Sequence, residues 1–165
     1  MAALISRKIR LLAMGGDHVI MCVLCVPIAF VLSPMVSKWA FYVLLVPYLN
    51  KDFLQGRSPA KRLLGLQLQE ANGASANELR AFLRNVTVMV WPLEVLLVVA
   101  GGQKRLGDYL AGTQVVASAS TLATTTRLWW QDLAAYRVTR NTLYTVLATL
   151  VYLLLLHGFF SWIGL

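Results

Sequence analysis

From Thr142 to Leu165 the chain runs through apolar residues in which only His157 ionises near neutral pH. A helix needs about 20 such residues to cross the hydrocarbon core of a bilayer, so this run predicts a spanning helix. Two further runs read the same way. Ile9 to Leu32 is interrupted by Arg10 and Asp17-His18, and Trp39 to Leu54 by Pro47 and the polar end Asn50-Lys51-Asp52. The composition agrees: 58% of residues are hydrophobic and 13% charged, against roughly 45–50% and 25% in soluble domains. These features predict an all-α membrane protein without a separate soluble domain. Arg7, Lys8 and Arg10 open the first run, which is longer than the apolar core of a signal peptide and lacks a small-residue cleavage site. It is expected to be retained as a helix.

Asn85 to Gly102 is apolar but carries Pro92 and Glu94 at its centre. It reads as either one kinked crossing or a broken, re-entrant segment, because proline removes a backbone hydrogen bond. If it re-enters, every basic residue except Lys38 lies on one side. The positive-inside rule then favours re-entry with a cytoplasmic N-terminus. Arg62 to Gln69 and Gly112 to Ser118 have strand character. They read either as a small cytoplasmic β-ribbon, which again needs both on one side, or as two unpaired amphipathic turns. Arg127 to Arg137, with Trp129, Trp130 and Tyr136, predicts an interfacial helix, followed by Asn141 as the cap of the last span.

A charge inside a bilayer costs at least about 2.5–3.5 kcal/mol on insertion scales, so Asp17 and Glu94 need a partner, a watery cavity or a proton. Asp17 follows Gly15 and Gly16, small residues that let another segment approach. It reads as a cation- or proton-binding carboxylate, or as a structural link between helices. Glu94, beside carbonyls freed by Pro92, reads as an oxygen ligand for a cation or as a bridge across the hairpin. Arg10 and Asp17 are too far apart along one helix to pair, which makes Asp108 the expected partner of Arg10. Asp52, at the end of the second run, reads as an interfacial charge in water. His157 is expected to be structural.

His18, Cys22 and Cys25 share a helical face, a weak alternative site for a soft metal. Cysteine is a common apolar filler, and no metal or other cofactor is expected. The net charge of +8 follows from the positive-inside rule and comes with no nucleic-acid motif. No catalytic triad or phosphate-binding loop is visible, so no enzyme is expected.

Four ordered segments carry a resemblance. Arg10-Leu11-Leu12-Ala13-Met14-Gly15-Gly16-Asp17 has an arginine and an aspartate seven residues apart. Gly56-Arg57-Ser58-Pro59-Ala60-Lys61-Arg62-Leu63-Leu64-Gly65-Leu66 follows, then Arg84-Asn85, then Arg105-Leu106-Gly107-Asp108-Tyr109-Leu110-Ala111-Gly112-Thr113. Together they resemble the RDD family of membrane proteins over about residues 7 to 118, and Trp91-Pro92-Leu93-Glu94 resembles a variant of one branch. Ala60 departs from the glycine common before the lysine, and Gly16 from a branched aliphatic residue.

The resemblance implies that Arg10, Asp17 and Asp108 are the defining residues and that transport, in some members cation/proton antiport, is the activity. The expected arrangement is an RDD-like domain at 7–118, a cytoplasmic linker with the interfacial helix at 119–141, and a spanning helix at 142–165. The expected setting is a bacterial cytoplasmic membrane. The leading expectation is a monovalent cation/proton antiporter, the expected partners being the lipid bilayer, the cation, the proton and a second copy or another membrane protein. Asp17, Glu94 and Asp108 would bind the ion or proton, supported by Arg10, Asp52, Arg84 and Arg105. The alternative is a non-transporting scaffold or assembly subunit in which the same groups form a structural polar network.

Overall fold

The computed structural model describes residues 5–36, 40–100, 104–118 and 124–164. Lys38, Trp39, Gly101, Gly102 and the start of the expected linker at 119–123 lie outside the described residues. The chain is mostly helical: α1 (Arg7–Val36), α2 (Ala40–Leu49), α3 (Pro59–Leu63), β1 (Leu66–Glu70), α4 (Glu78–Asn85), a 3-10 helix (Val86–Val90), α5 (Trp91–Val99), α6 (Leu106–Ala111), β2 (Thr113–Ala117), α7 (Thr125–Ala135) and α8 (Arg140–Trp162).

Among the described residues, three helical stretches are long and apolar enough to cross a membrane: Arg7–Ile28, Glu78–Val99 and Arg140–Trp162. The first and last of these fall on runs expected to span, the middle one on the stretch expected to be kinked or re-entrant, and the run expected as the second span is described only in part. The described part of the second apolar run forms a helix of 10 residues, about 15 Å long and half a bilayer. It stops because Asn50 folds back, its amide donating to the Val46 carbonyl at 2.9 Å, and because Asp52 is drawn into buried ion pairs.

Contacts fix how the helices run. His18 meets Tyr48, while Cys25 and Phe41 line one groove farther along, so α1 and α2 are antiparallel. Asn50 donates to Thr149 at 3.3 Å, and His157 bonds Tyr42 at 3.3 Å, so α8 runs antiparallel to α2. Thr142 donates to Glu78 at 3.2 Å and Tyr152 to the Val86 carbonyl at 2.9 Å, so α8 runs alongside α4. His157 is thus a structural partner of a tyrosine hydroxyl.

The third apolar stretch is broken, and proline explains where. Pro92 has no N–H to give the Val88 carbonyl, and that carbonyl instead accepts from the Trp91 N–H in a tighter, 3-10 pattern. Pro92 then sits in the first turn of α5, a position it tolerates. After α5 the chain comes back to where it left. Gly107 lies against the Arg84 carbonyl, so closely that a Cβ there would fall 2.0 Å from that oxygen.

β2 then pairs antiparallel with β1, with Leu66 opposite Ala117 and Glu70 opposite Thr113. The two strand-like stretches therefore pair as a ribbon. Leu68 is its buried centre, packed with Ala76 and Ala81. The expected amphipathic segment is helical as α7, with Trp129 and Trp130 exposed. The cap of α8 is Thr139 rather than Asn141. Its hydroxyl accepts from the Thr142 N–H at 3.3 Å, and the Thr142 hydroxyl accepts from the Thr139 N–H at 3.0 Å.

Candidate functional site: a buried network of charges

The polar residues of the core converge at one end of the helices. Four acids (Asp17, Asp52, Glu94 and Asp108) and four bases (Arg10, Lys61, Arg84 and Arg105) are all buried. A buried charge is tolerated only when paired and hydrogen-bonded, and each of these acids has a base within 4.0 Å.

Asp108 is the hub. Arg10 donates to its Oδ2 at 2.8 Å, Arg84 Nε donates to Oδ1, and the Arg105 backbone N–H donates to Oδ2 at 3.1 Å. The expected pairing of Arg10 with Asp108 is therefore present. Burial would raise the Asp108 carboxyl, but the guanidiniums of Arg84 and Arg105 outweigh it and hold the group well below the usual carboxylate range. Gly107 is what lets α6 deliver Asp108 to Arg84, since no larger residue fits against the Arg84 backbone.

Asp52 is fully buried, not an interfacial charge in water. Lys61 Nζ donates to its Oδ1, while Arg84 Nη1 and Asn85 Nδ2 donate to Oδ2 at 3.0 and 3.3 Å. Burial alone would raise its carboxyl as well, but Lys61, Arg84 and Lys51 keep it below the ordinary range. Arg84 thus bridges Asp52 and Asp108.

Asp17 faces α3. Its Oδ2 accepts from the Ser58 hydroxyl at 2.7 Å and its Oδ1 from the Ala60 N–H at 3.1 Å. Lys61 Nζ lies 3.6 Å away. A carboxylate at a helix start is favourable, because unpaired N–H groups gather there. The approach depends on Gly16, where an added Cβ would meet the Ala60 Cβ at 3.2 Å. Lys61 Nζ has three oxygen neighbours: Asp52, Asp17 and the Ser58 hydroxyl at 3.2 Å.

Glu94 bridges the break in the third stretch. Its Oε1 accepts from the Thr87 hydroxyl at 2.5 Å and from the Gly107 N–H at 3.3 Å, and its Oε2 from Arg105 at 3.5 Å. Arg10, Asp17, Lys61, Arg84 and Arg105 line a small cavity of about 10 Å³, room for roughly one water.

The expected acids Asp17, Glu94 and Asp108 thus belong to one network, together with the supporting residues Arg10, Asp52, Arg84 and Arg105. Lys61, Ser58 and Asn85 complete it and were not singled out as site residues from sequence. The signal for Lys61 and Ser58 was their place in the motif Gly56–Leu66, and for Asn85 its place after Arg84.

The weak metal alternative does not assemble as a ligand set. His18 Nδ1 bonds the Tyr48 hydroxyl at 3.1 Å and its ring stacks on Trp91, while Cys22 is exposed and Cys25 half-buried. Among the described residues, no group of three or more His, Cys, Asp or Glu is placed to hold a metal ion. No protein-family model, curated protein or solved structure matches the chain.

Proposed function

We propose that this chain is an integral membrane protein that works as a non-transporting module, an assembly or scaffold subunit, built around a structural ion network. The observation that carries this reading is charge closure. Each of the four buried acids has a buried base as neighbour, and the small cavity lined by Arg10, Asp17, Lys61, Arg84 and Arg105 is about the size of one water. A transported cation would have to displace a lysine or arginine from each acid it used. The outer faces of α1 and α8 carry exposed Leu12, Val23, Phe30, Leu147 and Leu154, suited to lipid or a partner helix. The return of residues 104–117 to the side of residues 66–85 supports a re-entrant third stretch and, by the positive-inside rule, a cytoplasmic network.

The test is reconstitution into proteoliposomes with a pH-sensitive dye inside, alongside purification in mild detergent. The module reading expects no proton flux on adding sodium or potassium, lower folded yield for Asp17→Asn, and a stoichiometric membrane-protein partner in the purified complex. Cation-driven proton flux that Asp17→Asn abolishes without loss of folded protein would overturn it.

The Lys61 ammonium favours a second reading. It occupies an oxygen cage formed by two carboxylates and a hydroxyl, the kind of ligand set that hard cations prefer. If Lys61 withdrew after losing its proton, a monovalent cation would find oxygen ligands in place, which is cation/proton exchange. Resemblance to the RDD motifs supports the same reading.

A further inference from the structure

We propose that the groove between α1, α3 and α7 is a binding site for an anionic phospholipid of the surrounding bilayer. The groove has a volume of about 460 Å³ and is walled by Ile20, Leu54, Leu63 and Trp129, within the range of small-molecule sites. Ile20 belongs to the part of α1 that is long and apolar enough to cross a membrane, and α7 presents its two tryptophans beside one another, as expected at headgroup level. The apolar walls of the groove thus suit an acyl chain.

The same groove also carries cations. Lys51, Arg57 and Arg62 line it, while Asp132 is the acid beside it, 2.7 Å from Arg62 and 3.8 Å from Arg57. Three positive charges therefore line the groove with one acid in ion-pair contact, while Asp17 and Asp52 act on Lys51 from beyond that distance. Among the described residues no carboxylate lies within ion-pair distance of Lys51, whose ammonium rests 4.2 Å from the Tyr48 ring centre. Burial pulls that ammonium down to about 8, partly opposed by Asp17 and Asp52, a sign of a desolvated charge that an anion would relieve. Arg57 Nε is buried without a hydrogen-bond partner. The first turn of α7, with Thr125 and Thr126, faces the same space and brings the positive end of its dipole. Apolar walls beside excess positive charge match an amphiphile with a phosphate head, and basic pockets between membrane helices are suited to such headgroups.

The full chain in detergent would be titrated with phosphatidylglycerol and with phosphatidylcholine of the same acyl chains. Binding is read by tryptophan fluorescence and native mass spectrometry. Saturable binding of phosphatidylglycerol, at least about tenfold tighter than phosphatidylcholine, is expected. Lys51→Gln should weaken it roughly fivefold, the effect of one basic residue near a membrane surface. Thr126→Glu, at an exposed position and so without cost to folding, should weaken it at least as much. Both variants should leave phosphatidylcholine binding unchanged. Equal affinity for the two lipids, unchanged phosphatidylglycerol binding in Thr126→Glu, or equally tight binding of water-soluble glycerol phosphate would each overturn the proposal.

Discussion

Replacing Asp108 by Asn tests whether the network holds the fold together. The side chain keeps its shape and loses its charge at the point where Arg10, Arg84 and Arg105 converge. Three buried guanidiniums are then left facing an amide whose NH2 can only donate. Removing one partner of a buried ion pair typically costs about 3–5 kcal/mol, because the remaining charge cannot be rehydrated. Asp108→Asn should therefore lose at least about 3 kcal/mol. Arg10→Met should cost less, about 1.5–3 kcal/mol for one hydrogen bond to a charged group, since Asp108 keeps Arg84 and Arg105.

The double variant should be more stable than the sum of the two single losses predicts. It removes one acid and one base together, and the coupling should fall within about 0.5–3 kcal/mol. Equilibrium unfolding in mixed micelles, followed by tryptophan fluorescence, reads all three numbers. A loss below about 1 kcal/mol for Asp108→Asn, or strict additivity in the cycle, would refute a structural role for the hub.

Gly107→Ala should destabilise by at least about 1–3 kcal/mol, the usual cost of overpacking, since its methyl would collide with the Arg84 carbonyl. A thermal midpoint within a degree of the parent would show that α6 packs elsewhere. Asp52 and Asp108 have folded-state values below those of the unfolded chain, so their stability is complete above about pH 4 and is lost as pH falls toward the folded values. Thermal midpoints in detergent should drop through that acid range, and Asp52→Asn should flatten the drop. An unchanged slope in that variant would remove Asp52 as a source. Ser58→Ala should cost about 1–3 kcal/mol, because it strips Asp17 of a donor and α3 of its cap. Circular dichroism melts would show it.

The parts of this architecture that follow from local rules were legible before any coordinates. Apolar length marked α1 and α8, proline marked the break before α5, and alternating Leu and Gln marked β1. The cost of a bare charge in lipid pointed to Asp17, and the inability of Arg10 to pair along its own helix pointed to Asp108. Long-range burial was not legible. Asp52 sits in a polar string that looks like any water-exposed helix end, and contacts with Lys61, nine residues on, and with Arg84 and Asn85, 32 and 33 residues on, make it interior. Lys61 was hidden for the same reason, standing in a run of basic residues that reads as a solvated cytoplasmic face. The end of α2 at Leu49 followed from those same contacts and not from hydropathy.

The ion pairs also set an order of assembly. Asp17 waits for partners that are 41 and 43 residues later in the chain, and Arg10 for one that is 98 residues later. While the ribosome is still making the middle of the protein, the opening helix therefore carries two opposite, unmatched charges. If the chain enters a bilayer as proposed above, the translocation machinery, or water near the membrane surface, shelters its first turns until α6 has been made. On the proposed membrane reading, the core closes late and collectively, and a chain cut before Asp108 presents lipid with a helix whose Arg10 lacks its partner.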